Sequence, residues 1–286
     1  MNSPAKFIRA LSVICGRFSS GTRVNSKNLR TEKNLKSKIN YRFMKIGGLQ
    51  KLTLVDYPGK VAATVFLIGC NFKCGFCHNP ELVDQNWNSD GRIRISGARR
   101  AQERYSDAEF FEFLDEKEGL IDGVCITGGE PTTQAGLVDF IRKIKIKRFL
   151  VKLDTNGSNP ELLEKLVNKK LIDFIAMDIK TSLDNYEKAV GVKLNPENIK
   201  KSVEIIKNSE IDYEFRTTVV PGLVEKKDIE EIGKWLKGVK KIVLQQFQNK
   251  KVLNNKFKEI QPYLDKTLKE FAKILEKYIE RVELRI

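Results

Sequence analysis

The alternation of short apolar segments with amphipathic segments is the feature that most constrains the fold of this chain. Apolar, β-branched runs of strand length indicate the buried strands of a parallel sheet. These runs lie at residues 61–68, 123–127, 149–154, 174–179, 213–220 and 241–246. Strands that alternate with helices of roughly 10–15 residues build βαβ units. The sequence therefore predicts an α/β fold, specifically a partial (β/α)6 barrel.

The segments between the predicted strands have the apolar spacing of helices. They lie at residues 107–117, 136–145, 160–168, 196–208 and 227–237. Ser106 precedes the first of them, and Glu109 three positions on completes a capping box. A further amphipathic helix is predicted over 262–278 and a last strand over 281–286, whereas 84–105 has the composition of an exposed insertion.

The positive charge of the chain is concentrated at its start. The 286 residues have a net charge of +15, and residues 1–43 contain ten lysines or arginines and one acid, Glu32. The remaining 243 residues therefore have a charge of only +6, so nucleic acid is not the expected partner. We predict a basic, disordered extension over 1–43 and one domain over 44–286. A transit-like peptide, or a gene start placed upstream of Met44, would also fit the extension.

Cysteine usage points to a metal site. Three of the five cysteines, Cys70, Cys74 and Cys77, fall within eight residues directly after the first predicted strand. An odd, clustered count argues against a disulfide framework and for metal binding or catalysis in a reducing compartment, so we expect a cytoplasmic protein. No apolar run approaches the roughly 18 residues of a membrane-spanning helix.

The three cysteines can hold an iron–sulfur cluster or a zinc ion. Three thiolates leave one iron of a 4Fe–4S cube without a protein ligand, and that iron can bind a small molecule. A structural zinc ion needs four nitrogen or sulfur ligands. His78 is a poor fourth ligand because it adjoins Cys77, and the chain has no second cysteine pair. The spacing therefore favours the cluster.

Polar motifs follow the other predicted strands. They are Thr127-Gly128-Gly129-Glu130-Pro131, Asp154-Thr155-Asn156-Gly157, the pair Asp178 and Lys180, and Arg216. Tight turns, an Asx turn or a buried salt-bridge network would each explain some of them. The carboxyl ends of parallel strands share one edge, so these side chains can also line one cavity with the cysteines.

The cysteine spacing, with an aromatic residue before the third cysteine, resembles the signature of the radical S-adenosylmethionine (SAM) superfamily. That resemblance implies a barrel of the TIM-like radical SAM type, with a 4Fe–4S cluster held by Cys70, Cys74 and Cys77. SAM would bind the open iron, be split by one electron and yield a 5′-deoxyadenosyl radical. The resemblance places the methionine amino group at Gly128, Gly129 and Glu130 and the adenine at Phe76. His78, the one histidine of the sequence, is expected to pack or form a hydrogen bond beside the cluster rather than act as an acid–base group.

The strings DTNG, DIK and R…VVPG, in this order over about residues 46–247, resemble the activating enzymes of glycyl-radical proteins. In that family the two aspartates help bind a monovalent cation, which assigns Asp154 and Asp178 to a cation beside the cofactor. Thr155, next to Asp154, is expected among the cofactor-binding residues. Lys180 and Arg216 would contact the cofactor. The strings LVDYPGK at 54–60 and CHNPEL at 77–82 are similar to the activating proteins of anaerobic ribonucleoside-triphosphate reductase.

This resemblance implies a glycyl-radical partner, the anaerobic reductase, and a flavodoxin- or ferredoxin-type electron donor. Hydrogen-atom abstraction requires no general base, so no acid–base catalytic residue is expected. Two alternatives stay open. One is a radical SAM enzyme that acts on a small molecule or nucleotide, such as a deazapurine synthase. The other is a zinc-stapled, basic nucleic-acid-binding module.

Overall fold

The computed structural model describes residues 43–83 and 105–286. The predictions of a disordered extension over 1–43 and of an exposed insertion over 84–105 therefore lie, apart from Phe43 and Tyr105, outside the described residues. These described residues belong to one compact unit.

The unit is built on one sheet of eight strands that follow one another in chain order. The strands are β1 Ile46–Thr53, β2 Ala62–Leu67, β3 Gly123–Gly128, β4 Leu150–Thr155, β5 Phe174–Asp178, β6 Asp212–Val219, β7 Lys241–Gln246 and β8 Arg281–Arg285. Strands β2 to β8 are parallel, and β1 pairs antiparallel with β2. Since β1 and β8 are the two edges, the sheet of the described residues is open.

Helices connect successive parallel strands. They are α1 Asp107–Glu116, α2 Leu137–Ile146, α3 Pro160–Asn168, α4 Tyr186–Val190, α5 Pro196–Lys207, α6 Lys226–Trp235 and α7 Asp265–Leu275. The capping box before α1 is present, with the Glu109 amide donating to the Ser106 hydroxyl and the Ser106 amide to the Glu109 carboxylate. Pro160 and Pro196 occupy first-turn positions, where a proline loses no helical hydrogen bond.

The α/β class is confirmed, and the sheet contains the six predicted strand runs, the expected last strand and one strand more. Strand β8 extends the parallel order, as the expected last strand does. Strand β1 was not predicted, because its sequence IGGLQKLT has two glycines and no apolar alternation. Its strand conformation comes from pairing with β2, in which Ile46 faces Leu67 and Thr53 faces Ala62.

The LVDYPGK string forms the turn between β1 and β2. It lies at the amino end of β2, whereas the cysteines follow the carboxyl end of that strand. Tyr57 is 3% exposed, and its ring centroid lies 5.9 Å from that of Phe174. The Thr64 hydroxyl donates to the Asp56 carboxylate over 2.6 Å and fixes the turn. This string therefore packs at the amino ends of the parallel strands, whereas the loops after β2 to β6 meet at the carboxyl ends. No helix of the described residues is long and apolar enough to cross a membrane.

Candidate active site

A cavity of about 240 Å³ lies at the carboxyl edge of the strands. All thirteen residues selected from the sequence line it. They are Cys70, Cys74, Phe76, Cys77, His78, Gly128, Gly129, Glu130, Asp154, Thr155, Asp178, Lys180 and Arg216. The structure also adds Phe72, Asn156 and Thr218 to the lining. Thr218 could have been found from the sequence, since it lies two positions after Arg216 and so on the same face of β6.

The cysteine loop follows β2 and presents three thiols to the cavity. Cys74 is buried, and Cys70 and Cys77 are half-buried and free of disulfides. Burial raises the pKa of Cys70 to about 12 and that of Cys74 to about 11, while the Lys180 ammonium acts in the opposite direction on all three thiols. Such thiols become thiolates when a cationic metal centre binds them.

This donor set fits an iron–sulfur cluster. Three thiols on one loop can each bind a different iron of a cube. Within residues 43–83 and 105–286, no three histidine, cysteine or acidic side chains are close enough to share a single metal ion. Cys125 does not line the cavity and is fully buried in β3, with its sulfur 3.7 Å from the Lys152 ammonium.

The two glycines after β3 allow the backbone to pack directly on the cysteine loop. A Cβ atom on Gly129 would lie 2.1 Å from the Gly69 carbonyl oxygen. Gly128 has φ of +119°, and a Cβ atom there would lie 2.3 Å from the Leu67 nitrogen. The Glu130 amide donates to the Gly69 carbonyl over 2.7 Å. Glycine is therefore required here by close approach of two backbones.

Glu130 joins the loop after β3 to the loop after β4. Its carboxylate accepts from the Thr132 and Thr155 hydroxyls over 2.5 and 2.8 Å, and from the Asn156 amide over 2.6 Å. Burial raises the pKa of Glu130, and these hydrogen bonds oppose the rise. Glu130 and Thr155 line the cavity, but the polar contacts of their side chains fix the two loops to each other.

Five charged side chains form a continuous ion-pair network across β4, β5 and β6. The Arg216 guanidinium lies between two carboxylates, with Nε 2.8 Å from Asp178 Oδ1 and Nη1 3.1 Å from Asp154 Oδ2. Lys180 Nζ binds Asp178 Oδ2 over 3.0 Å, and Lys152 Nζ binds Asp154 Oδ1. The salt-bridge alternative weighed from the sequence is thus present, and four of its five members also line the cavity.

Asp178, Lys180 and Arg216 stay charged over the physiological pH range. Burial alone raises the pKa of Asp178, but Arg216 and Lys180 outweigh burial and hold it well below its usual range. In the same way, Asp178 outweighs burial and raises the pKa of Lys180. The three cations and two anions leave one net positive charge beside the cysteine loop.

The monovalent cation implied by the resemblance does not fit this arrangement. Each of the four carboxylate oxygens of Asp154 and Asp178 already contacts the nitrogen of a lysine or of Arg216. Arg216 lies between the two carboxylates, where a shared cation would bind. Binding of that cation by these two aspartates stays a prediction from the resemblance.

Lys152 is the member of the network that sequence reasoning missed. It is 1% exposed, does not line the cavity and faces the interior from the middle of β4. The available signal was its position two residues before Asp154, which puts both side chains on one face of the strand.

Comparison with known proteins agrees with this geometry. The sequence model of the radical SAM superfamily matches residues 64–236. The chain is 34% identical over 245 residues to an inferred glycyl-radical enzyme activating enzyme of Methanocaldococcus jannaschii, covering 84% of this chain and 95% of that protein. It is 26% identical over 250 residues to the pyruvate formate-lyase-activating enzyme of Clostridium pasteurianum, covering 83% and 98%.

A solved structure shares the fold. Streptococcus suis SuiB bound to S-adenosylmethionine superposes with a TM-score of 0.55 at 14% identity, covering 98% of this chain and 59% of that larger protein. The chain therefore belongs to the radical SAM superfamily, whose enzymes use a 4Fe–4S cluster and SAM. Within that superfamily it is homologous to the activating enzymes of glycyl-radical proteins.

Proposed function

We propose that this chain activates a glycyl-radical protein, which is the anaerobic ribonucleoside-triphosphate reductase, by generating a radical on one of its glycines. One observation carries the proposal most directly: the three cysteines and four of the five members of the ion-pair network line the same cavity. The similarity of most of the chain to proteins named as activating enzymes supports it. The strings LVDYPGK and CHNPEL support the reductase as the partner.

In this proposal Cys70, Cys74 and Cys77 hold the cluster, and the ion-pair network holds SAM. The one net positive charge of the network complements a single carboxylate, such as that of the methionine part. Lys180 and Arg216 keep their charge because both pKa values are raised, Asp178 and Asp154 outweighing burial. Both cations are therefore available for that carboxylate at neutral pH.

The remaining cavity residues position the cofactor. Gly129 brings the backbone close to the cysteine loop, and Glu130 with Thr155 fixes the loop after β4. Phe76 is buried beside the cavity and offers an apolar face to the adenine. When bound, the cluster and SAM supply reductive cleavage of a sulfonium bond and abstraction of a hydrogen atom from glycine. No side chain has to move a proton in that chemistry.

The open sheet supports a protein substrate. In the described residues β1 and β8 do not pair, so the sheet leaves a gap between its edges. A glycine within a folded partner can reach a cavity only if a loop of that partner enters with it. A barrel closed on all sides would restrict entry to its mouth.

Two further proposals concern the context of the protein. We place it in the cytoplasm with a flavodoxin- or ferredoxin-type donor, because cluster assembly and reduction need a reducing compartment. We also propose that residues 44–286 are sufficient for activity and that 1–43 is a separate extension. A chain that starts at Met44 and matches the full chain in SAM cleavage would support this division.

The deciding experiment is anaerobic reconstitution with iron and sulfide, followed by electron paramagnetic resonance spectroscopy with SAM and the candidate reductase. A doublet from a glycine radical on the reductase is the expected result. Cleavage of SAM without this doublet would leave a radical SAM enzyme with another substrate, and a deazapurine precursor is the first to test. Protein that binds one zinc ion and no sulfide would refute the proposal and favour the nucleic-acid-binding alternative.

A further inference from the structure

A segment after β7 covers the outer side of the cysteine loop. This post-β7 segment, residues 248–260, donates from the Asn254 amide to the Gly75 carbonyl over 2.9 Å. The ring centroids of Phe257 and Phe76 lie 6.2 Å apart. Phe257 packs so closely on Gly75 that a Cβ atom there would lie 2.2 Å from the ring. The segment is therefore seated on the loop that presents the three cysteines.

The loop between α4 and α5 flanks the cysteine loop on another side. The Lys73 amide donates to the Val190 carbonyl over 2.8 Å. A Cβ atom on Gly191 would lie 2.6 Å from the Lys73 carbonyl oxygen. Two separate parts of the chain thus meet at the outside of one short loop.

The surface formed by these three segments is rich in exposed lysines. They are Lys73, Lys193, Lys250, Lys251, Lys256 and Lys258. Four of them lie within two residues, along the chain, of a contact described above. The other two are Lys251, which forms an ion pair with Glu81, and its neighbour Lys250. Besides Glu81, the acids on these segments are Glu187 and Glu259. The surface is therefore net positive.

Most of these charges have no acidic partner among the residues that the structure describes. Apart from Lys251, none of the six lysines forms an ion pair with a carboxylate of residues 43–83 or 105–286. None of them lines the cavity, and neither does Phe257. The lysines thus lie outside the cavity that the three cysteines line.

The proposed reaction requires a partner at such a surface. For each glycyl radical, one electron enters from outside, SAM is split into methionine and 5′-deoxyadenosine, and the added hydrogen comes from glycine. The donor is oxidised by one electron. A protein donor must approach the cysteines, and the glycine partner must reach the cavity. A donor bound to the outside of the cysteine loop is close to the cysteines and leaves the cavity open to the glycine partner.

We propose that this lysine surface docks an acidic one-electron donor protein of the flavodoxin type. The inference rests on the proposed function, since only a reductive reaction needs the donor. Complementary charge raises association rates by about 10- to 1,000-fold at low salt, and salt screens it. The same surface would repel a basic protein.

The test compares two charge-reversal variants of the full chain, reconstituted with its cluster. One variant is Lys250→Glu with Lys256→Glu. The matched control is Lys273→Glu with Lys277→Glu, which makes the same charge change at two exposed lysines at the end of α7, just before the amino end of β8. The probe is an acidic flavodoxin, measured as binding by flavin fluorescence anisotropy and as flavodoxin-driven SAM cleavage.

We expect the first variant to bind flavodoxin about tenfold more weakly at low salt, and the difference to shrink at high salt. The control should bind like the wild type. Dithionite is a small reductant that needs no docking, so dithionite-driven SAM cleavage should be equal in all three proteins. If the wild type cleaves no SAM with dithionite, the result refutes the proposed function and does not test the docking surface.

Several results would overturn the docking surface itself. Equal flavodoxin binding by the first variant and the wild type would do so, as would binding by the wild type that does not change with salt. An equal loss in the control would show a general effect of net charge. Weakened binding of the reductase, with flavodoxin unaffected, would assign the surface to the glycyl-radical partner instead.

Discussion

Replacement of Lys152 by methionine tests whether this buried lysine, which does not line the cavity, stabilises the ion-pair network. Methionine keeps the unbranched apolar stem, which lies against the Phe174 ring with the ammonium 6.0 Å from its centroid. The change removes the charge that binds one oxygen of Asp154. Asp154 then remains buried with one cationic partner, Arg216, in place of two.

The magnitude follows from the burial of this pair. The Lys152 side chain is 2% exposed and that of Asp154 is 14% exposed. Removal of one partner from a buried ion pair costs about 3–5 kcal/mol, and we expect the lower end because Arg216 still contacts Asp154. For a unit of this size about 3 kcal/mol corresponds to a fall in melting temperature of roughly 6–12 °C.

The assay is thermal unfolding of the cofactor-free protein, so that the result does not depend on cluster loading. The control is Lys152→Met combined with Asp154→Asn, in which no buried carboxylate is left without its lysine. Residues in direct contact couple by about 0.5–3 kcal/mol, so the double variant should be more stable than the two single losses predict. A Lys152→Met protein that melts within about 1 °C of the wild type, or strict additivity in the double variant, would refute the reasoning.

Three further predictions follow from the site. Cys70→Ser should lose iron–sulfur absorbance and SAM cleavage after anaerobic reconstitution, whereas Cys125→Ser should keep both; wild-type iron and sulfide contents in Cys70→Ser would contradict the ligand assignment. Gly75→Ala should lower the free energy of unfolding by about 1–3 kcal/mol, since its Cβ atom would lie 2.2 Å from the Phe257 ring. In urea unfolding, Phe257→Ala should destabilise the Gly75→Ala protein less than it destabilises the wild type, because the ring that the new methyl group strikes is gone. Equal destabilisation in the two proteins would argue against the contact. Burial raises the pKa of Asp178, but its two cationic neighbours outweigh burial and depress it, so its stabilising effect is present above the unfolded-state value of about 3.9 and is lost as pH falls below it. Cofactor-free Asp178→Asn should therefore be less stable than the wild type at pH 7, with a difference that shrinks below about pH 4; a difference that stays constant would show that the ion pairs do not contribute.

The sequence predicted the parallel part of the sheet because buried strands need little context to be recognised. The run at 241–246 coincides with strand β7, Lys241–Gln246, and the run at 61–68 contains β2. Each is apolar and β-branched, and such runs bury both faces in a parallel sheet. The sequence also selected residues that all line one cavity, because the cysteines and the other selected site residues lie at or near the carboxyl ends of strands, and parallel strands place those ends at one edge.

Spacing along the chain did not reveal how the side chains use their polar groups. Glu130 belongs to a motif associated with the cofactor, yet its carboxylate bonds Thr155 and the Asn156 amide. Those residues are more than twenty positions away in sequence. Only the packing of two loops decides whether such a carboxylate faces a ligand or a neighbouring loop.

The sequence by itself determined the class of chemistry, because three cysteines at this spacing and a set of motifs at strand ends are local features. The tertiary structure decided which charges meet. The register of β5 and β6 places Asp178 directly opposite Arg216, and β4 brings Asp154 and Lys152 to the same network. Electrostatic energy depends on distance in space, and in a sheet that distance is fixed by strand register, which no single strand encodes.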